Sequence, residues 1–531
     1  MIKKDFPIEL KKETIISVSV FVLLSIFTFP AYLKAISIPL ISDDYVFVID
    51  LSNWGLFGTT FFRPLIKLYF DILKPVFGMH PQGYHVLNIA IHIIDAFLIY
   101  LTCKLIFSLN GDPENKRERF NKNLIAAGLA LFLAANYSLS QAVFWISGVT
   151  TLIQTFFILV VMYTYSLYVL KGKNSYLILS LIFFFFGLGA KEGVFVMVGV
   201  IPLLYFSLAG KKPGKKILLS WAYYWTIALL YILAASRVFA VTGKGTYKYH
   251  FGWTLFRNLQ QFILSSFLGT PFNDSSLNTL QRNILGVGET RHIFRIDPWF
   301  PGAIVCYIIL IVILIKGRKR TWAAFLAMCG AMLPSILPES HLSGWYYYPQ
   351  PFRTYYTPAI FMILLLALFF VTLSLYKSRK ATTVVVLILL GISVFNGCRI
   401  FEKGDDWIEV GSRYKTIINN ILLKLDQEIV TTPRVLIKVA DLFWRRKVGR
   451  LFYKGVEVDY NISLVKIYKD KLKAKFLIWV QRYRTKKKAY RSISQYIKDN
   501  VRGGKLTLFI YAGKELTRVD LSRSHKKKKK Q

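Results

Sequence analysis

Acid is what this chain has least of for its size. Asp and Glu total 29 of 531 residues against 69 Lys and Arg, a net charge of +40. Cysteine is scarce as well: Cys103, Cys306, Cys329 and Cys398 form no CxxC pair and show no metal-like spacing, so neither a disulfide framework nor a zinc site is indicated. They read as small apolar packing groups within or at the ends of apolar segments. The C-terminal part shows no tetratricopeptide-like period, which argues against a tandem-repeat tail. The polar composition of a soluble protein is missing too, with 54% hydrophobic and 16% aromatic residues and a mean hydropathy of +0.42. A chain of this kind is a multi-spanning membrane protein. Its basic clusters are short and fall between apolar segments, so they offer no continuous groove to a nucleic acid. They read instead as topology signals and contacts for anionic lipid headgroups.

A membrane span needs about 20 mostly apolar residues. On that basis eleven segments emerge, starting near residues 14, 83, 123, 149, 175, 193, 217, 300, 321, 358 and 381. The first is too long for a signal peptide and continues into Pro30, Tyr32 and Lys34, as a retained span does. Cationic clusters at Lys3 to Lys12, Lys116 to Lys122, Lys171 and Lys173, Lys211 to Lys216, Lys316 to Arg320 and Lys377 to Lys380 all fall on one side if eleven spans are threaded. That side is the cytoplasmic one, and the N-terminus lies there. The expected outer face holds a first loop, 37–82, the turn from Asn136 to Gly148, the Lys191-Glu192 turn, a long loop at 241–299, the segment 341–357 and everything after Cys398. Residues 399–531 carry 34 Lys and Arg against 13 Asp and Glu, but long domains translocate largely regardless of charge. They mix helical stretches with strand-like ones, "RVLIKVA" and "LTLFIYAG", and read as a small α/β domain with a lysine-rich disordered end, 524–531. The fold class expected is thus an all-α polytopic membrane domain, 1–398, with an α/β extracytoplasmic extension.

Before that extension, few acids lie on the expected outer face: Asp43, Asp44, Asp50, Asp71, Glu192, Asp274, Glu289, Asp297 and Glu339. Asp43 and Asp44 stand where the first span ends and a short amphipathic segment begins, between lipid headgroups and water. A helix-start role is the competing account, with Ser42 as N-cap and both carboxylates favourably placed against the helix dipole, worth about 0.3–1 kcal/mol each. Downstream, Arg63-Pro64 opens an amphipathic stretch that a Gly78/Pro81 turn ends. His85, Asn88, His92 and Asp95 then recur at helical spacing on one face of the second span. Polar groups at membrane depth face a bundle interior or a cavity, either serving chemistry or bonding helices together.

An acidic pair after the first span, then "RPL", then G-x-x-P-x-x-Y-H-x-x-N-x-x-x-H resembles the glycosyltransferase C superfamily, most closely its protein O-mannosyltransferase-like branch and bacterial relatives. "LFLAANYSLSQAVFWISG" is similar to that branch's third-to-fourth span turn, "GAKEGVF" (189–195) to its Lys-Glu motif, and "FRTYYTP" (352–358) to its Arg-x-x-Tyr-x-Pro motif. The likeness covers most of residues 14–410 in order. Two departures stand out. Asn136-Tyr137 and Gln141 replace the usual His-Pro and Glu of the turn, and Val149 and Thr151 stand at positions that are often Arg and Asp.

The resemblance implies transfer of a sugar from a polyprenyl-phosphate donor to a glycan, lipid or protein acceptor on the outer face of a bacterial inner membrane, with inversion. It implies a carboxylate base, Asp43, with Asp44 as alternative or positioning partner. Arg63 and Arg353 would hold the departing phosphate bidentately, with Lys67, Lys191 and His85 as further contacts. Glu192 would orient the acceptor or pair with an Arg. His92, Asn88 and Tyr356 would support the site, and Trp345 to Tyr348 would form a sugar platform or an interfacial belt. No cofactor is required. Some superfamily members bind a divalent cation through first-loop acids, and acids missing at Gln141 and Thr151 leave fewer of the oxygen ligands it would want here. A non-catalytic translocator or ligase-like protein of envelope polysaccharide assembly is the reading from a different class.

Overall fold

The computed structural model describes residues 6–41, 44, 47–48, 62–110, 116–239, 308, 311–313, 315–317, 319–340 and 356–425, together with six strands between residues 434 and 518. The described chain is mostly helical. The helices are α1 (Phe6–Ala31), α2 (Pro64–Phe77), α3 (Pro81–Phe107), α4 (Lys116–Ala134), α5 (Ser140–Phe144) and α6 (Val149–Lys171). They continue with α7 (Asn174–Ala190), α8 (Met197–Ala209), α9 (Lys215–Phe239), α10 (Lys319–Ser340), α11 (Tyr356–Thr372) and α12 (Arg379–Leu425).

Helices stand at ten of the eleven positions where the sequence places a span, and the segment near residue 300 falls largely outside the described residues. Among the described residues, six helices are long and apolar enough to cross a membrane. A seventh is made if α4 and the segment Tyr137–Phe144, bent by 45° at a short break, count together, while α7 and α11 are apolar but shorter. These long apolar helices are those of a membrane-embedded protein.

The chain divides into two compact units. The first comprises residues 1–34, 54–68 and 84–403. Its centre is set by burial. α11 is buried from Tyr356 through Leu368, and α6 and α3 are mostly buried. In contrast, α1, α7, α9 and α12 present large exposed side chains such as Ile15, Phe185, Leu233 and Val384. Helices apolar on every face meet protein on one side and hydrocarbon on the other. α6 and α7 form a hairpin closed at Gly172, whose φ of 70° is the left-handed conformation that ends a helix and lets its N–H reach the Tyr168 carbonyl. Gly210 ends α8 in the same way.

The second unit comprises residues 35–53, 69–83 and 404–531. It holds a four-stranded sheet with strand order β4-β1-β5-β6, from strands Arg434–Val439 (β1), Lys475–Trp479 (β4), Thr507–Ala512 (β5) and Glu515–Arg518 (β6), and a small antiparallel pair, Phe452–Tyr453 (β2) with Val456–Glu457 (β3). β1 runs parallel to both β4 and β5, pairing Leu436 with Leu477 and Leu508, and β6 returns antiparallel along β5. The strand-like stretches of the sequence are therefore β1 and β5. α12 does not stop at Cys398 but continues without a break to Leu425.

Local chemistry explains the elements that carry the site. Pro64 and Pro81 each open a helix, where the missing N–H costs nothing. Gly78, with φ 55°, ends α2 by donating to the Lys74 carbonyl. α4 stops at Ala134, and Asn136 caps the next turn by accepting the Ser138 N–H at 3.1 Å. The turn from Asn136 to Gly148 is buried throughout. Short helical turns pair part of its backbone, and the Asn88 side chain of α3 donates to two of its carbonyls.

Candidate functional site

The four polar residues of α3 are all buried, as the helical spacing requires. They do not bond one another. Asn88 Nδ2 donates to the carbonyls of Val143 (3.3 Å) and Trp145 (3.0 Å), tying α3 to the buried turn. His92 lies with Nε2 3.0 Å from the Ala134 carbonyl and Nδ1 2.6 Å from the Tyr356 hydroxyl. That hydroxyl is also 3.0 Å from Asp95 Oδ2. The Tyr32 ring meets the His92 ring edge-on, with centroids 5.3 Å apart. His85 is buried in the first turns of the same helix.

A second cluster forms where the "RPL" and "KEG" segments meet. Arg63 is mostly buried and donates through Nη2 and Nε to the two carboxylate oxygens of Glu192, at 2.8 and 3.2 Å. Planar fork on planar carboxylate is the strongest geometry available to such a pair. The neighbouring Lys191 Nζ donates to Thr151 Oγ1 at 3.2 Å. Two glycines flank this junction. A Cβ on Gly189 would lie 3.6 Å from Pro64 and Leu65, and one on Gly193 would fall 2.4 Å from Gln154 Nε2. Gln154 in turn donates to Thr357 Oγ1 (3.1 Å), and Thr155 shares a hydrogen bond with the same hydroxyl (2.8 Å), so α6 anchors the "KEG" turn and the start of α11 together. Phe62 packs on Tyr231 of α9, with ring centroids 5.5 Å apart. Lys67, one turn into α2, donates its backbone N–H to the Arg63 carbonyl.

Asp44, in the second unit, is buried. Its Oδ2 accepts the Ile41 N–H at 3.1 Å while its own N–H donates to the Ile41 carbonyl at 3.0 Å. The side chain and the backbone of Asp44 thus both bond the backbone of Ile41, closing a turn there. The helix-start account of the acidic pair, with Ser42 as N-cap, falls on residues outside those described. Asp43, Ser42, Arg353, residues 345–348 and the loop 241–299 lie outside the described residues.

Sequence reasoning missed several participants. Thr151 reads as a departure from the family pattern, yet it is the partner of Lys191. Gln154, one turn further along α6, carried a signal in that spacing. Thr357 and Tyr231 carried none, being ordinary residues of apolar helices. Among the described residues, no three His, Cys, Asp or Glu side chains converge as a metal site would need. Neither the protein-family models nor the curated protein sequences contain a match to this chain.

Proposed function

We propose that the chain is a membrane glycosyltransferase of the glycosyltransferase C type, moving a sugar from a polyprenyl-phosphate donor to an acceptor on the outer face of the membrane. In this reading about eleven spans surround the site, the N-terminus is cytoplasmic, and the part after Cys398 is an extracytoplasmic α/β domain. One observation carries it. Motifs far apart in sequence meet in space: Arg63 of "RPL" pairs with Glu192 of "KEG", 129 residues away, and His92 of the second span meets Tyr356 of "YYTP", 264 residues away. Residues that share only a role in packing do not need a bidentate ion pair at their junction.

The chemistry follows from charge. An acceptor hydroxyl attacks the anomeric carbon from the face opposite the leaving phosphate. The new C–O bond forms as the C–O(phosphate) bond breaks, and the electron pair leaves on phosphate. The hydroxyl proton passes to a carboxylate, Asp43 or Asp44. Arg63 and Arg353, with Lys67, Lys191 and His85, offset the growing phosphate charge, and Glu192 fixes the plane of the Arg63 guanidinium. Asn88, His92 and Tyr356 hold the helices that carry these groups. Nothing in the scheme calls for a metal or a cofactor.

The test uses purified protein in liposomes with a polyprenyl-phosphate hexose and a pool of envelope acceptors, read by mass spectrometry of the products. Arg63→Ala is expected to lower transfer at least 100-fold, in line with loss of one charge-stabilising donor. Asp43→Asn or Asp44→Asn is expected to abolish it. Full transfer in both carboxamide variants removes the acidic pair from the chemistry, and unaltered envelope glycans in cells lacking the gene overturn the reading as a whole.

A further inference from the structure

The row Ala134 carbonyl, His92, Tyr356, Asp95 admits a proton inventory. A carbonyl only accepts, so the 3.0 Å contact requires a proton on His92 Nε2. In a neutral imidazole Nδ1 is then a lone pair, and the Tyr356 hydroxyl, 2.6 Å away, must donate to it. The single hydroxyl proton is thereby spent. The remaining contact, Tyr356 Oη to Asp95 Oδ2 at 3.0 Å, needs its proton from the carboxyl group. The same number of protons arranged as imidazolium and carboxylate also closes the row. With one proton fewer, one of the three contacts sets two lone pairs against each other.

Burial decides between the two closed arrangements. His92 and Asp95 are both fully buried, and among the described residues Asp95 Oδ1 has no hydrogen-bond partner. Among the described residues, the titratable groups facing the row from the packed elements are tyrosines: Tyr32 against His92 and Tyr356 between His92 and Asp95. A carboxylate with one bare oxygen and no adjoining cation among the described residues is the costlier state, because a buried charge needs direct pairing and full hydrogen bonding.

We propose that the His92–Tyr356–Asp95 row is a buried binding site for one proton, with Asp95 as a neutral carboxylic acid donating to Tyr356. The site ties the first residue of α11 to α3 and to the end of α4. Removing its proton leaves the Tyr356 oxygen facing a second lone pair, on His92 Nδ1 at 2.6 Å or on Asp95 Oδ2 at 3.0 Å, so the latch is weakened when the row loses that proton. This inference stands apart from the glycosyl-transfer reading.

Infrared difference spectroscopy of the full-length protein in lipid film at neutral pH tests it. Wild type minus Asp95→Asn is expected to show the C=O stretch of a protonated carboxylic acid, shifting in heavy water. Asparagine keeps the row closed by donating its amide N–H to Tyr356. A difference containing only carboxylate bands overturns the proposal. If Asp95→Asn does not fold, Tyr356→Phe supplies the reading: loss of the acceptor is expected to move the acid band to higher frequency, and an unmoved or absent band overturns the proposal.

Discussion

Arg63 and Glu192 illustrate how much a single pair decides here. Arg63 is mostly buried while the Glu192 side chain stays 46% exposed, so water screens the pair on one side and its worth is that of charged hydrogen bonds, not of a fully buried ion pair. Truncating Glu192 to Ala is expected to cost about 1–2 kcal/mol in unfolding free energy, and Arg63→Ala a similar amount. The double variant should cost less than the sum, since the two changes remove one interaction; thermal unfolding in detergent measures the cycle, and strict additivity would show the pair to be uncoupled. Sequence alone brought Arg63, Glu192, His92 and Tyr356 forward, the first two as carriers of charge in a chain poor in acid. It offered Glu192 as a partner for an Arg but did not say which one, and it did not join His92 to Tyr356, because 129 and 264 residues of chain between partners leave no local periodic signal. Asp95 stood on the right helical face, but its link through Tyr356 depends on where α11 docks.

Among the elements, the buried turn between α4 and α6 is the least tolerant. A Cβ at Gly148 would lie 2.4 Å from the Ala142 carbonyl oxygen, a backbone atom that cannot swing aside. Gly148→Ala is therefore expected to destabilise by about 1–3 kcal/mol. Gly172 makes the contrast. An added Cβ there meets open space, and only the positive φ resists it, so Gly172→Ala should cost about 1–2 kcal/mol through backbone strain alone, with no change in packing around α6. Melting temperatures of both variants, alongside a fluorescence readout of the buried Trp145, separate the two effects: only Gly148→Ala should alter the Trp145 environment. α2 was readable almost to the residue, bounded by Pro64 and by Gly78, since proline and glycine act on their own backbone whatever surrounds them. The burial of the Asn136 to Gly148 turn was not readable, because its Ser, Asn and Gln residues suit an aqueous loop and a satisfied interior equally well.

For the molecule as a whole, burial sorts chemically similar side chains. Trp145 is 2% exposed and Trp225 on α9 is 58% exposed. In single-tryptophan variants reconstituted with brominated lipid chains, Trp225 is expected to be quenched and Trp145 spared; equal quenching would contradict the placing of α6 and its flanking turn inside the bundle. Phe184 and Phe185 make the same point within one run of phenylalanines, the first fully buried and the second 62% exposed. Sequence by itself determined that this chain is helical and membrane-embedded, because spans of apolar residues and helix-ending glycines and prolines are local properties that water and hydrocarbon enforce at each segment separately. Tertiary structure alone decided that α6 and α11 are central while α1, α9 and α12 keep exposed apolar faces, and that Arg63 meets Glu192 and His92 meets Tyr356. Hydrocarbon and protein interior are equally hospitable to a leucine or a phenylalanine, so hydropathy does not distinguish them; shape, close glycine contacts and the pairing of the few polar groups do.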